Sequence, residues 1–210
     1  MAPANGLLYV GNTTLDNGVR LKNGAQLPSQ GLTLASENPL YVMGDWNTKG
    51  KDGTTISHAP GNTTPLSNMI SSAILADAIT VLSNNWVTNN SDTKGNQNTS
   101  NRPATETWVN AAFALGPNTE SVAGAGNGQV ENSIRFLEHW SGRNLNYNGS
   151  IVALWHSLHA TGNWKNTGTS LPAYYTAPNR NWAYDLMFNS VPPPGTPMGV
   201  IITKGQWSQK

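Results

Sequence analysis

Short runs of hydrophobic residues separated by polar corners are the clearest pattern in this sequence. The stretch 31–47, GLTLASENPLYVMGDWN, contains two such runs, 32–35 and 40–43, on either side of an Asn38-Pro39 corner. Runs this short, bounded by turn residues, are typical of strands, because an amphipathic helix needs a longer periodic segment. The pattern therefore predicts short strands joined by tight turns.

The same pattern recurs along the chain and predicts a mainly β fold. The segment 73–82 also fits helical spacing, but its β-branched residues and the Ser-Asn-Asn corner after it favour a strand. Only 131–140 is predicted to be a helix, since its apolar residues form a stripe that ends before Gly142. Residues 156–188 are predicted to be a loop region rich in aromatic residues. The other predicted strands are 7–10, 19–22, 108–115, 145–155 and 198–203.

The chain is poor in charge, so its solubility needs another source. Charged residues make up 11% of the sequence, against roughly a quarter in average soluble domains. Neutral polar residues must supply the solubility, and stacked asparagine side chains can form hydrogen-bonded ladders between successive strands. The length of 210 residues suits a single domain, 1–210, with long polar loops.

Charge and composition also argue against several classes of function. The net charge is +1 and no cluster of Lys or Arg is present, so no nucleic-acid partner is predicted. Without cysteine, disulfides and thiolate metal sites are excluded. His156 and His159 lie three residues apart without a clear third ligand, and we predict no metal site. Neither a nucleotide-binding fingerprint nor a long apolar stretch occurs, so we predict no cofactor and no membrane segment in this chain.

Several phrases in order resemble a known group of bacterial proteins. The phrases are GLTLASENPLYVMGDWN, ILADAITVLSNNW, ENSIRFLEHWSGRNLNYNGSIVALW, APNRNWAYDLMF and PPPGTPMGVIITKGQW. From about residue 6 to the C-terminus, they resemble the β-rich C-terminal region of proteins that carry a prepilin-like, PilX-type segment. The resemblance implies export, a cell-surface or type IV pilus-associated setting, and a right-handed parallel β-helix-like solenoid. It implies no established activity, and it leads us to expect that this chain is the C-terminal part of a longer exported protein.

Four carboxylates are the candidate catalytic residues. Asp45 and Asp77 follow or interrupt predicted strands, where they would serve as acids or, more often, bond backbone N–H groups at their corners. Glu131 and Glu138 flank Arg135 on the predicted helix. Two carboxylates could form a glycosidase-type pair, but spacing along one helix favours a simple charge ladder instead.

Aromatic residues concentrate in the C-terminal third and are the candidate ligand-binding site. Exposed rings there could stack on sugars, whereas buried rings would cap the end of the strand stack. The sequence leaves both alternatives open. The aromatic candidates are Trp155, Trp164, Tyr174, Tyr175 and Trp182, with polar contacts from Asn179, Arg180 and Asp185.

The sequence thus predicts an exported structural or adhesive domain at a bacterial cell surface. Its expected partners are a glycan or other surface and pilus subunits. The alternatives are a carboxylate-based polysaccharide hydrolase or lyase and a non-catalytic carbohydrate-binding module, and we lean away from an enzyme.

Overall fold

The chain folds as a parallel β-solenoid whose turns stack on one another. The computed structural model describes residues 3–11, 18–88, 91–95, 97–117, 133–161 and 173–197. Within these ranges ten strands form two sheets. The strands are β1 (Leu7–Tyr9), β2 (Val19–Lys22), β3 (Leu32–Ser36), β4 (Leu40–Met43), β5 (Ser72–Ala76), β6 (Ile79–Leu82), β7 (Thr107–Leu115), β8 (Ile134–Phe136), β9 (Asn144–Ala153) and β10 (Asn179–Tyr184).

The two sheets alternate along the chain for the first eight strands. Sheet A has the strand order β1-β3-β5-β7-β9-β10, and sheet B has the order β2-β4-β6-β8. All neighbouring strands in both sheets are parallel. The prediction of a mainly β, parallel β-helix-like solenoid is therefore confirmed.

Side chains that alternate along each strand fill the interior between the sheets. In β4, Leu40 and Val42 are fully buried, while Tyr41 between them is only half-buried. In β7, Val109 and Phe113 point into the same core cluster. Most inward positions are apolar, and removing these side chains from water stabilises the stack. The inward polar residues Ser72 and Thr107 are also fully buried.

Polar corners lie over one another where the chain passes from sheet A to sheet B. The Leu40 N–H donates to the Ala78 carbonyl oxygen over 2.8 Å, and the Gly116 N–H donates to the Asp77 carbonyl oxygen over 3.1 Å. The predicted strand 73–82 is in fact two strands, β5 and β6, because Asp77 and Ala78 form such a corner. Burial on both faces of these strands hides the break in the apolar pattern.

The predicted helix 131–140 is wrong in its described part. Residues 134–136 are strand β8, which pairs with β6, and Ile134 and Phe136 are each 1% exposed. The short α-helix, α1, is Asn84–Thr88 instead. Strand β10 also contradicts the prediction of loop for all of 156–188. The predicted strand 198–203 lies outside the described residues.

The C-terminal segment 191–197 returns along the solenoid and fastens the first turns. The Thr33 Oγ1 hydroxyl donates to the Pro194 carbonyl oxygen over 2.6 Å, and the Ser71 hydroxyl donates to the Pro192 carbonyl oxygen over 3.1 Å. Gly31 has φ +91°, and a Cβ there would lie 3.0 Å from the Pro194 ring. Glycine is thus needed both for the backbone angle and for the approach of this segment.

None of the helices in the described ranges combines the length and the apolar composition that crossing a bilayer requires.

Candidate functional site

A large cleft lies beside the N-terminal end of β7. Its volume is about 630 Å³, which is within the roughly 300–1,000 Å³ typical of ligand sites. It combines one exposed aromatic ring, one carboxylate, one ammonium group and several hydroxyls. We call it the Trp108 cleft; it is lined by Ala25, Asp45, Thr48, Lys49, Thr55, Ile56, Ser57 and Trp108.

Asp45 holds the aromatic wall of the cleft in place. The Trp108 N–H donates to Asp45 Oδ1 over 2.9 Å, and the Asn84 amide donates to the same oxygen over 2.9 Å. The Asp45 N–H in turn donates to Asn84 Oδ1 over 2.9 Å. Among the described residues none donates to Asp45 Oδ2, so one oxygen of this half-buried carboxylate keeps its capacity to accept.

The opposite wall is a short loop with its own internal bonds. Lys49 and Thr55 form an antiparallel bridge, and the Ile56 N–H donates to the Thr48 carbonyl oxygen over 3.0 Å. At its tip, Asp52 accepts from the Thr54 hydroxyl over 2.7 Å. Hydrogen bonds from the Thr54 side chain and backbone, and from Asn68, lower the pKa of Asp52. These bonds give the wall a defined shape before any ligand binds.

The cleft is built on a buried foundation next to Asp45. Trp46 is 3% exposed, pairs with Val109, and donates its indole N–H to Ser72 Oγ over 3.1 Å. A Cβ at Gly24 would overlap the Trp46 ring, so the Asn23-Gly24 turn needs glycine for space.

A buried asparagine ladder begins at Asn47, directly after Trp46. The Asn47 amide donates to the Ile70 and Asn110 carbonyl oxygens over 2.7 and 3.1 Å. The Asn110 amide donates to the Asn47 carbonyl oxygen over 2.9 Å, and the Asn148 amide donates to Asn110 Oδ1 over 2.9 Å. We call Asn47, Asn110 and Asn148 the covered ladder; they are 0 to 3% exposed.

A second ladder runs from the Trp108 cleft toward the last strand of sheet A. Asn146 is the partner of Trp108 in the register of β7 and β9. The amides of Asn179 and Asn181 donate to Asn144 Oδ1 and Asn146 Oδ1 over 3.2 and 2.7 Å. We call these four asparagines the open ladder, because it ends at the exposed residues of β10.

The open ladder begins at a carboxylate. Glu106 accepts from the amides of Asn146 and Asn144 over 2.9 and 3.1 Å. The hydrogen bond from Asn146, followed by the one from Asn144, lowers the pKa of Glu106. These bonds favour the charged form. Together the two ladders confirm that stacked asparagines bond between successive strands.

Asp77 is used as a structural anchor. It is 5% exposed and accepts from the Ser157 hydroxyl and the Leu158 N–H, each over 2.6 Å. The Arg135 guanidinium donates to the neighbouring Ala160 carbonyl oxygen over 2.6 Å. Asp77 therefore bonds backbone N–H groups as corner aspartates commonly do, and it fixes the loop 157–160.

Glu138 is fully buried at a corner above Ser83. Its two oxygens accept from the Ser83 N–H and the Ser83 hydroxyl, each over 2.6 Å. Burial raises the pKa of Glu138 to about 7, although the Ser83 bonds and the charge of Arg102 oppose this. The predicted face shared by Glu131, Arg135 and Glu138 is not formed, since 134–136 is a strand; Glu131 lies outside the described residues.

The predicted aromatic site is divided between core and surface. Tyr175 belongs to the core, 5.8 Å from the Phe136 ring, and Trp182 packs edge-on against Tyr147 at 5.7 Å. Tyr174 packs against the same core. Trp155 is exposed, and Trp164 lies outside the described residues.

The polar candidates of that site are divided in the same way. The Arg180 guanidinium lies 5.5 Å from the centre of the Trp182 ring. Asn179 is exposed in the open ladder. Asp185 is 1% exposed and caps the turn Leu186–Asn189 by accepting from the Met187 N–H over 3.0 Å.

Asp185 also forms a buried pair that sequence reasoning missed. Its Oδ2 lies 2.6 Å from Nδ1 of His58, which is 2% exposed. The two residues are 127 positions apart, so no local pattern could have linked them. Within the described ranges no three His, Asp or Glu side chains come together as metal ligands.

Trp108 is the main site residue that sequence reasoning missed, and one signal for it was present. Val109, Ala111 and Phe113 alternate as inward apolar residues of the predicted strand, so Trp108 must face outward. An outward tryptophan beside polar corners suggests a binding surface. Its contact with Asp45 joins residues 63 positions apart, and no local sequence pattern predicts it.

In comparisons with known proteins, no protein-family model, no curated protein and no solved structure matches the chain.

Proposed function

We propose that this chain is a non-catalytic structural or adhesive domain of an exported bacterial cell-surface protein of the type IV pilus-associated kind, and that it binds glycan in the Trp108 cleft. The observation that carries the glycan-binding part is the exposed Trp108, whose backbone N–H donates to the neighbouring Asp45 carboxylate. The resemblance described above supports the setting at the cell surface.

The chemistry of the Trp108 cleft suits a sugar ring. A pyranose has an apolar face of C–H groups and a rim of hydroxyls, so it stacks on an aromatic ring while its rim forms hydrogen bonds. Asp45 Oδ2 can accept from a sugar hydroxyl, and Lys49 and Ser57 can donate to one. Because Asp45 is fixed by Asn84 and Trp108, little ordering is needed on binding.

The arrangement favours binding over hydrolysis. Glycoside hydrolysis uses two carboxylates roughly 5–10 Å apart on either side of the scissile bond. Asp45 is the only acid among the described residues that line the cleft. Glu138 is fully buried and bonded to Ser83, and Asp77 is occupied by the loop 157–160. Glu138 and Asp77 therefore stabilise the fold and are not available as a catalytic pair with Asp45.

The test is a titration of the protein with neutral tetrasaccharides (cellotetraose, maltotetraose and chitotetraose), followed by calorimetry and tryptophan fluorescence. We expect at least one to bind, and Trp108→Ala to weaken it tenfold or more. Trp155→Ala is the matched control, since Trp155 is 38% exposed and Trp108 37%. We expect this control to leave the Kd unchanged.

Three results would contradict the proposal. The first is that none of the three sugars binds, and the second is that Trp155→Ala rather than Trp108→Ala removes binding. The third is release of reducing ends that Asp45→Asn abolishes, which would establish the hydrolase alternative.

A further inference from the structure

A second surface, on the outer face of sheet B, carries arginine side chains and contains a cavity. The register places Arg20, Tyr41, Thr80 and Arg135 side by side across β2, β4, β6 and β8. These residues alternate with the inward core positions, so their side chains face away from the core. A cavity of about 520 Å³ lies on this face.

The cavity, which we call the sheet B groove, combines two guanidinium groups with aromatic and aliphatic walls. None of the described residues that line it is acidic. A smaller cavity of about 180 Å³, which includes Arg135, shares Tyr41 and Leu137 with it. The main lining residues of the groove are Arg20, Tyr41, Leu82, Trp86, Arg102 and Leu137.

Arg102 has a buried guanidinium group with few hydrogen-bond acceptors around it. Arg102 is 2% exposed, and its Nη2 donates a long hydrogen bond, 3.3 Å, to the Gln97 carbonyl oxygen. Its Nε has no hydrogen-bond partner among the described residues. A guanidinium carries five N–H donors, and burying a cation without acceptors is costly.

The nearby carboxylate does not compensate Arg102 fully. Glu138 uses both oxygens for Ser83, and no ion pair between Glu138 and Arg102 is formed in the described structure. Because burial raises the pKa of Glu138 to about 7, this carboxyl group is partly protonated near neutral pH. An anion from solution is therefore the natural partner for the groove.

We propose that the sheet B groove binds a carboxylate-bearing sugar, a hexuronic acid residue, with its carboxylate at Arg102 and Arg20 and its ring against Tyr41 and Trp86. Arginine binds carboxylates through paired N–H donors, and the aromatic walls suit the apolar face of a pyranose. The volume of the groove is within the range of small-ligand sites. This site is separate from the Trp108 cleft and does not depend on it.

The test is an NMR titration of the isotope-labelled protein with glucuronate, glucose and acetate. Glucose is the control ligand that keeps the sugar ring but lacks the carboxylate, and acetate is the control that keeps the carboxylate but lacks the ring. We expect glucuronate to shift the Trp86 indole and Arg102 Nε–H signals and to bind at least tenfold more tightly than either control. Arg20→Gln should weaken glucuronate several-fold, and Arg102→Lys should weaken it tenfold or more.

The controls make the outcome decisive. Arg143→Gln removes the same charge at an exposed position that does not line the groove, and it should leave the Kd unchanged. Trp108→Ala should also leave glucuronate binding intact, which separates this site from the neutral-glycan site. The proposal is overturned if glucuronate does not bind, if glucose or acetate binds equally well, or if Arg143→Gln weakens binding as much as Arg20→Gln. Because Arg20 is exposed, its variant keeps the test valid even if Arg102→Lys does not fold.

Discussion

The covered ladder and the open ladder are made of the same side chain, yet they differ in their surroundings. Asn47, Asn110 and Asn148 are nearly inaccessible to solvent. The open ladder has one buried member, Asn146, which is 1% exposed, but it ends at Asn179 and Asn181, which are exposed on β10. In both, one amide donates to the next along the stack.

From this difference we expect burial, rather than the hydrogen bond itself, to determine how much a ladder contributes to the free energy of unfolding. An exposed amide that loses its partner bonds water instead, so its net contribution is small. A buried amide has no such replacement, and its loss leaves other polar groups unsatisfied. The covered ladder should therefore stabilise the solenoid, whereas the open ladder remains available to a ligand.

Asn110→Ala tests this difference most directly, and we expect the largest effect from it. The substitution removes the donor to the Asn47 carbonyl and the acceptor for the Asn148 amide, both buried. Each unsatisfied buried group costs about 1–3 kcal/mol, so the loss should be about 4 kcal/mol. Urea denaturation measures it. A loss below about 1 kcal/mol would show that water reaches these groups.

Glu138→Gln extends the comparison of buried and exposed polar groups to a buried group that can ionise. The folded protein keeps the Glu138 proton up to about pH 7, whereas the unfolded chain releases it near pH 4.5. The folded state thus binds more protons between these values, and the contribution of Glu138 to stability falls as pH rises.

The size of this pH effect follows from the shift in pKa. We expect the difference in unfolding free energy between wild type and Glu138→Gln to fall by about 2–3 kcal/mol from pH 5 to pH 8. Urea denaturation across that range measures it. Glu106→Gln is the control, since an exposed carboxylate with a lowered pKa is ionised throughout this range in both states. A constant difference for Glu138→Gln would mean that the group is charged in the fold at pH 5.

Gly149→Ala disturbs the covered ladder without removing any amide. Gly149 lies opposite Ala111, next to the Asn110–Asn148 rung, and a Cβ there would overlap the Ala111 carbonyl oxygen. Strands β7 and β9 must separate to make room, at a cost of about 2 kcal/mol. Thermal denaturation and the side-chain amide signals of Asn110 and Asn148 report it. Ser150→Ala on the same strand should change neither measurement, and an unchanged Asn148 signal in Gly149→Ala would contradict the expected separation.

Local periodicity predicted the strands well where one face is apolar. Strands β2 and β4 have the predicted bounds because their inward residues alternate with polar or aromatic outward ones. Residues 131–140 misled the prediction, since Ile134, Phe136 and Trp140 fit a helical stripe as well as a strand and its corner. Strand β10 was missed because, as the last strand of sheet A, it is exposed at four of its six positions and lacks an alternating apolar pattern.

The site was less predictable because it depends on which turns stack. Asp45 was a candidate from its corner position, but its contact with Trp108 joins turns 63 residues apart. Arg102 joins the sheet B groove from the segment between α1 and β7, where its carbonyl oxygen accepts from the His139 N–H. Hydrophobic periodicity predicts which side chains point into the core. The register between turns depends on the loops, and their sequences show no such periodicity.

Asn179→Ala should have the smallest effect on stability and completes the comparison with Asn110→Ala. Its amide donates to Asn144 Oδ1 over 3.2 Å at an exposed position, and water can take its place. We expect a change below about 0.5 kcal/mol. In a chain of this size that corresponds to a change in Tm of at most about 2 °C. A loss equal to that of Asn110→Ala would show that continuity of the stack, rather than burial, gives both ladders their weight. A small loss would leave the open ladder free to change in sequence without unfolding the solenoid, as a surface that contacts different partners requires.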